Sequence, residues 1–224
     1  MTSLNSDEAA APSWLELPSK NLVLTGFLGV GKSTIARQIR RRLNVELLDI
    51  DEEIELRELM SIAKLRELYG DSRLRKLEYE ICRQASLMRR SVIVVPGAAL
   101  SDSRNYRALS DIGMIVCVTC ELGEALRRLH LKSEQQFRDE SIRRRMMSRI
   151  RREYGIINDT RILQLDTTHL TIDEEVHLLT DYWLNQNAPT EHFRQGPPER
   201  IKPPQKATVG LSVRRVEVLR DDQN

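Results

Sequence analysis

From residue 21 onward, short apolar runs alternate with longer stretches in which apolar positions recur at helical spacing. The runs lie at residues 22–24, 45–48, 92–95, 115–118 and 162–165 and consist mainly of Val, Ile and Leu. A continuous apolar run predicts a strand buried on both faces, as in a parallel sheet, whereas a half-exposed strand would alternate. The stretches between them predict helices. Residues 34–39 follow the first run; in 72–90, Leu74, Leu77, Ile81, Leu87 and Met88 gather on one side; in 172–184, Val176, Leu179 and Trp183 do the same. Residues 140–152 form a further helical stretch with six arginines. Strands separated by helices are joined by right-handed crossovers, so the predicted fold class is α/β, three layers, with a five-stranded parallel sheet and helices on both faces. Ligands of such sheets sit beyond the carboxyl ends of the strands, which places residues 26–33, 49–51 and 96–98 along one edge.

The periodicity also sets the domain limits. Residues 1–19 are polar and alanine-rich and predict a flexible lead-in, with Trp14 and Leu17 resting on the domain. The domain itself is expected over 20–187. Pro189, Pro197, Pro198, Pro203 and Pro204 then mark a change of composition, and 188–224 is expected to be a proline-rich tail, extended or disordered. The alternation of Val209, Leu211 and Val213 does not alter that expectation.

Charge narrows the function classes. The 224 residues carry a formal net charge of only +2 although 30% are charged, which gives no bulk signal for nucleic acid or an anionic membrane. No apolar run approaches the roughly 18 residues that span a bilayer, and the first residues lack a basic-then-apolar leader, so a cytoplasmic protein is expected. The sequence does not give the oligomeric state, and a monomer is favoured. Cys117 and Cys120 have redox or metal spacing but fall in and beside a buried strand, so they read as core thiols. The four histidines are scattered without ligand spacing.

The chemistry is concentrated after the first strand. Gly26-Phe27-Leu28-Gly29-Val30-Gly31-Lys32-Ser33 has the spacing G-x-x-x-x-G-K-S between a strand and a helix, the arrangement of a phosphate-binding loop. Backbone N–H groups curl around a polyphosphate, and a side chain at Gly26 or Gly31 would block that approach. The helix N-terminus behind the loop adds free N–H groups and partial positive charge. Lys32 is expected on the outer phosphates and the Ser33 hydroxyl on Mg2+. Gly26, Gly29, Gly31, Lys32, Ser33 and Thr34 are therefore the expected ATP contacts. Asp49-Ile50-Asp51 ends the second strand, where alternation directs both carboxylates to one side. Asp49 is expected to hold Mg2+ with Ser33, and Asp51 to take a proton from an attacking hydroxyl; Asp51 also fits a plain helix N-cap. The third strand ends in Pro96 rather than an acid, which leaves the metal role to Asp49.

These stretches resemble the shikimate kinase family, through Gly26–Thr34, Asp49–Glu55, Ser61-Ile62 and Gly70-Asp71-x-x-Leu74-Arg75-x-x-Glu78, over roughly residues 20–130. The resemblance implies a P-loop kinase fold with a helical lid, and ATP- and Mg2+-dependent transfer of the γ-phosphate to the hydroxyl of a small molecule, shikimate first among them. It also implies that Lys32 and Asp51 are catalytic, that Asp51, Arg75 and Gly97 bind the acceptor with Glu78 orienting Arg75, and that Arg128 stacks on adenine. The chain departs from the pattern in three places. Gly97-Ala98-Ala99 stands where the family has three glycines, residues 131–138 lack the lid's R-P-L-L, and Ile150 falls where a second carboxylate-binding arginine belongs. The end of the chain is similar to relatives of nucleoside monophosphate kinases. A nucleoside monophosphate, another small hydroxy acid, and a non-catalytic ATP-binding sensor are the alternatives.

Overall fold

The structure, a computed structural model, describes residues 17–132, 139–186 and 192–196. Trp14, most of the expected lead-in and the alternating residues 209–213 lie outside the described residues, while Leu17 packs against the core as expected.

Six strands form one sheet in the order β2-β3-β1-β4-β5-β6: β1 is Asn21–Thr25, β2 Leu47–Asp49, β3 Val92–Val94, β4 Gly113–Thr119, β5 Leu163–Asp166 and β6 Phe193–Gln195. The five expected strands are parallel, with Leu24 of the central β1 level with Val94 on one side and Val116 on the other. Leu22, Val23 and Leu24 are all fully buried, as their unbroken apolar run requires. The expected sheet of five gains a sixth, antiparallel strand from the stretch expected to be tail: Leu163 of β5 pairs with Gln195 of β6. Three residues framed by prolines carry no legible period. Besides the backbone pairing, Phe193 holds them, buried with its ring 5.2 Å from that of Tyr182, and Arg194 lies 3.6 Å from Asp166. The expected domain limit at 187 thus falls short of the last strand.

Helix α1 (Lys32–Leu43) leads from β1 across β3 to the edge strand β2, while the later parallel crossovers run the other way along the sheet. Right-handed crossovers of opposite direction place their helices on opposite faces. Accordingly α1 packs with α8 (Ile172–Asn185), and α3 (Ile62–Ala85) packs with α5 (Ser103–Ser110) and the short α4 (Gly97–Leu100). Helix α2 (Ile50–Glu58) leans on α3, α6 (Leu122–Lys132) follows β4, and α7 (Glu140–Tyr154) ends in a 3-10 turn, Gly155–Asn158, packed on α4. Cys82, Cys117 and Cys120 are free and buried, and desolvation pushes each thiol up to about 12; Cys117 and Cys120 are inert core residues as expected, and Cys82 is a third. Among the described residues no helix is long and apolar enough to cross a membrane.

Candidate active site

A cavity of about 840 Å³ opens beyond the carboxyl ends of β1, β2 and β3. Its floor is the loop between β1 and α1. Gly26 is required there by packing: a Cβ on it would lie 2.2 Å from the Val118 carbonyl oxygen of β4. Gly31 is the N-cap of α1 in the left-handed region, at φ 101°, and no side chain caps that helix. Helices α2 and α8 each carry three acids in the first turn, whereas α1 carries none. The N–H groups at the start of α1 are therefore left for an anion. Lys32 Nζ donates to the carbonyls of Gly26 at 2.9 Å and Phe27 at 3.0 Å, which curls its side chain back over the loop. Burial lowers its pKa, and the nearby Glu153 carboxylate works against that shift.

Ser33 Oγ donates to Asp49 Oδ2 at 2.6 Å, while Asp49 Oδ1 accepts from the Asp51 N–H at 3.1 Å. Asp49 is thus both the last residue of β2 and the N-cap of α2. The expectation of strand alternation through Asp51, and of Asp51 as a cap, is corrected: Asp51 is in the first helical turn, and it is the helix that aims its carboxylate into the cavity. Desolvation raises the Asp49 pKa, and the Ser33 hydrogen bond counters it. A hydroxyl and a buried carboxylate side by side are hard oxygen donors. They fit Mg2+, which takes one or two carboxylates and fills its remaining positions with phosphate oxygens and water.

Across the cavity stands Arg149 of α7, paired through Nη2 with Asp51 Oδ2 and through Nε, at 2.6 Å, with Glu153 Oε1. Burial opposes its charge and the two carboxylates outweigh it, so its pKa is raised. Glu78 of α3 is buried near the same group. Desolvation, reinforced by the charge on Asp51, pushes its carboxyl up to about 7.

The structure does not bring every expected residue here. Arg75 lies on the exposed face of α3, in a separate depression with Ser72, Lys76, Tyr79 and Arg104. The buried arc of α3 holds Leu74, Leu77, Glu78, Ile81 and Cys82, and Arg75 falls just past its rim. Glu78 is therefore turned into the core, where it feels the charges of Asp51 and Arg149, while Arg75 is turned away. Gly97 is buried, but its missing side chain makes room for the protein and not for an acceptor: a Cβ would meet the Glu153 carbonyl oxygen at 2.7 Å and Ile156 Cγ2 at 2.9 Å. Arg128 lines the cavity with all five N–H donors engaged. They reach Glu124 at 2.8 Å, Val30 O at 3.0 Å, Thr167 Oγ1 at 3.2 Å, Thr167 O at 2.7 Å and Glu175 at 3.0 Å. It ties the loop to α6 and α8. Gly29 and Thr34 line the cavity as expected; of the expected lid, Leu131 and Lys132 do so, and residues 133–138 lie outside the described residues. Sequence reasoning missed Arg149 and Glu153. The available signal was their i,i+4 spacing in a helix where Ile150 and Glu153 mark the inward face.

A shikimate kinase family model matches residues 28–181, which carries the likeness past residue 130 through α7 and most of α8. A shikimate kinase of Geobacter metallireducens is 30% identical over 175 residues, 77% of this chain and 97% of the relative. Another, from Geobacter sulfurreducens, is 38% identical over 117 residues, 51% of this chain and 65% of its own. In fold, the chain is similar to a shikimate kinase of Acinetobacter baumannii solved with shikimate (TM-score 0.60, 20% identity, 76% of this chain and 96% of that one). With the family model matched over most of this sequence and a relative of 30% identity matched almost end to end, the chain belongs to the shikimate kinase family.

Proposed function

We propose that the protein transfers the γ-phosphate of ATP to a hydroxyl of a small acceptor bearing a carboxylate, shikimate being the leading one. The observation that carries this is the meeting of Lys32, Ser33, Asp49, Asp51 and Arg149 around one cavity. The loop and the start of α1 hold the phosphates, and Arg128 offers its face to adenine. Arg149 offers a planar pair of donors to the acceptor carboxylate, in place of Arg75. Asp51 takes the hydroxyl proton as the oxygen attacks the γ-phosphorus; the bond to the bridging oxygen breaks, and ADP leaves with the electron pair. Lys32 offsets the charge that develops on the transferring oxygens. Ser33 and Asp49 would hold Mg2+, which supplies further positive charge to the phosphates. We place the catalytic unit at residues 20–196, so that β6 is included.

The test is a coupled ADP assay with shikimate, nucleoside monophosphates and other hydroxy acids, with the product identified by mass. Shikimate-dependent ADP and a phosphorylated shikimate are expected. A second reading, another small hydroxy acid, is favoured by the exposed position of Arg75 and the filled space at Gly97, and predicts turnover with such an acid but not with shikimate.

A further inference from the structure

Arg149 carries two carboxylates, and they are not equivalent. Glu153 lies one turn further along the same helix, with a side chain only 4% exposed, and its Oε2 has no hydrogen-bond partner. Asp51 belongs to a different helix, lines the cavity and is 23% exposed. A molecule entering the cavity meets the Asp51 side of the guanidinium and cannot reach the Glu153 side.

From this asymmetry we propose that Arg149 is an interlock on the base: it holds Asp51 until an acceptor carboxylate takes the place of Asp51 on the guanidinium. The released Asp51 is then free to receive the hydroxyl proton. The inference rests on the proposed function and adds a source of specificity to it. The exchange replaces one carboxylate by another on a cation that Glu153 keeps in place, so the guanidinium stays paired while Asp51, 23% exposed, passes to the acceptor hydroxyl. A neutral acceptor, or water, offers no replacement, and Asp51 must leave a charged hydrogen bond with nothing to compensate. Such a bond is worth roughly a tenfold change or more in an equilibrium. Recognition of the carboxylate would then be expressed in kcat as well as in KM, and ATP would be protected from hydrolysis while no acceptor is bound.

The experiment compares shikimate with its methyl ester, which keeps every hydroxyl and loses the charge, using the full chain with ATP and Mg2+. The wild type is expected to show kcat at least about tenfold lower for the ester. In Arg149→Met that kcat ratio should fall toward one, and ATP hydrolysis without acceptor should rise severalfold. Arg149→Lys, which keeps the charge without the fork, should restore part of the ratio. Equal kcat for the two acceptors in the wild type, with only KM differing, would overturn the interlock while leaving the kinase reading intact. That arm needs no variant, and titration with a non-hydrolysable ATP analogue checks that each variant is folded. If no acceptor is phosphorylated, the function reading fails and acceptor-free hydrolysis decides: a rise in Arg149→Met upholds the restraint on Asp51, and no rise overturns it.

Discussion

The cavity has two halves built on different principles. The proposed phosphate half comes from consecutive residues, Gly26–Ser33 with Asp49 beside them, and would hold its ligand largely through backbone N–H groups at a helix start. The proposed acceptor half is assembled from side chains of three helices far apart in the chain, Asp51 of α2, Glu78 of α3 and Arg149 and Glu153 of α7. A backbone site depends on spacing and on glycines, so its residue types can hardly change without loss. A side-chain site depends on which way each helix is turned, and the same groups can be supplied from other positions. Two of the three departures from the family pattern, at Gly97-Ala98-Ala99 packed beneath the end of α7 and at Ile150 on α7, fall on the elements that support the second half.

The largest expected effect is in the phosphate half. Lys32→Ala should lower kcat by at least about 10²-fold, since groups that stabilise charge on the transferring phosphoryl are worth several kcal/mol of barrier. The circular dichroism spectrum should be unchanged. A folded variant with near-normal kcat would break the comparison at its firmer end.

The acceptor half carries buried charge, and Glu78 reports it. Its carboxyl, at about 7 in the folded protein against an ordinary 4.5, holds a proton that the unfolded chain gives up. Native protein therefore binds more protons than unfolded protein between those values, and stability is lost as pH rises from about 4.5 through 7. Glu78→Gln removes that loss. The variant should be more stable than the wild type at pH 8, on the order of 2–3 kcal/mol, with the difference gone near pH 4. Denaturant melts at the two pH values measure it, and an equal difference at both would show that Glu78 is not held neutral.

Gly97→Ala comes next. The added methyl would press on the Glu153 carbonyl and on Ile156, at the end of α7. Overpacking of this kind costs about 1–3 kcal/mol, and roughly 2–4 °C of Tm for each kcal/mol in a domain of this size. Because α7 carries Arg149, the acceptor KM should rise while ATP affinity holds. A rise in KM with no change in Tm would instead return Gly97 to direct contact with the acceptor.

These cases show what the sequence made legible. The five parallel strands and their helices could be read because apolar runs and helical periods record burial directly, as at Leu22–Leu24 and at Val176, Leu179 and Trp183. The loop could be read because its spacing is tied to backbone geometry. The strand Phe193–Gln195 was illegible, for one buried phenylalanine sets no period. Arg149 was hidden among six arginines on one helix, and only the rotation of α7 distinguishes it. That Asp49 and Asp51 share one cavity could be read, but the reason for their placement could not, since a cap and a first helical turn bring them together where alternation is expected.

The smallest expected effect is the most discriminating. Arg75 and Arg149 are both arginines near an acid at helical spacing, Glu78 in one case and Glu153 in the other. Only Arg149 lines the cavity; Arg75 lies in the other depression, beside Arg104. A guanidinium binds a carboxylate through a planar fork that lysine lacks, so Arg149→Lys should raise the acceptor KM about tenfold or more. Arg75→Lys should change it by less than about twofold, as an exposed arginine's contribution is small. Both variants should bind ATP as the wild type does, because neither side chain touches the loop. Steady-state kinetics on the pair settles which helix supplies the carboxylate-binding arginine. If the two effects are reversed, the side-chain half of the site follows the family's positions after all, and the freedom ascribed to it here is wrong.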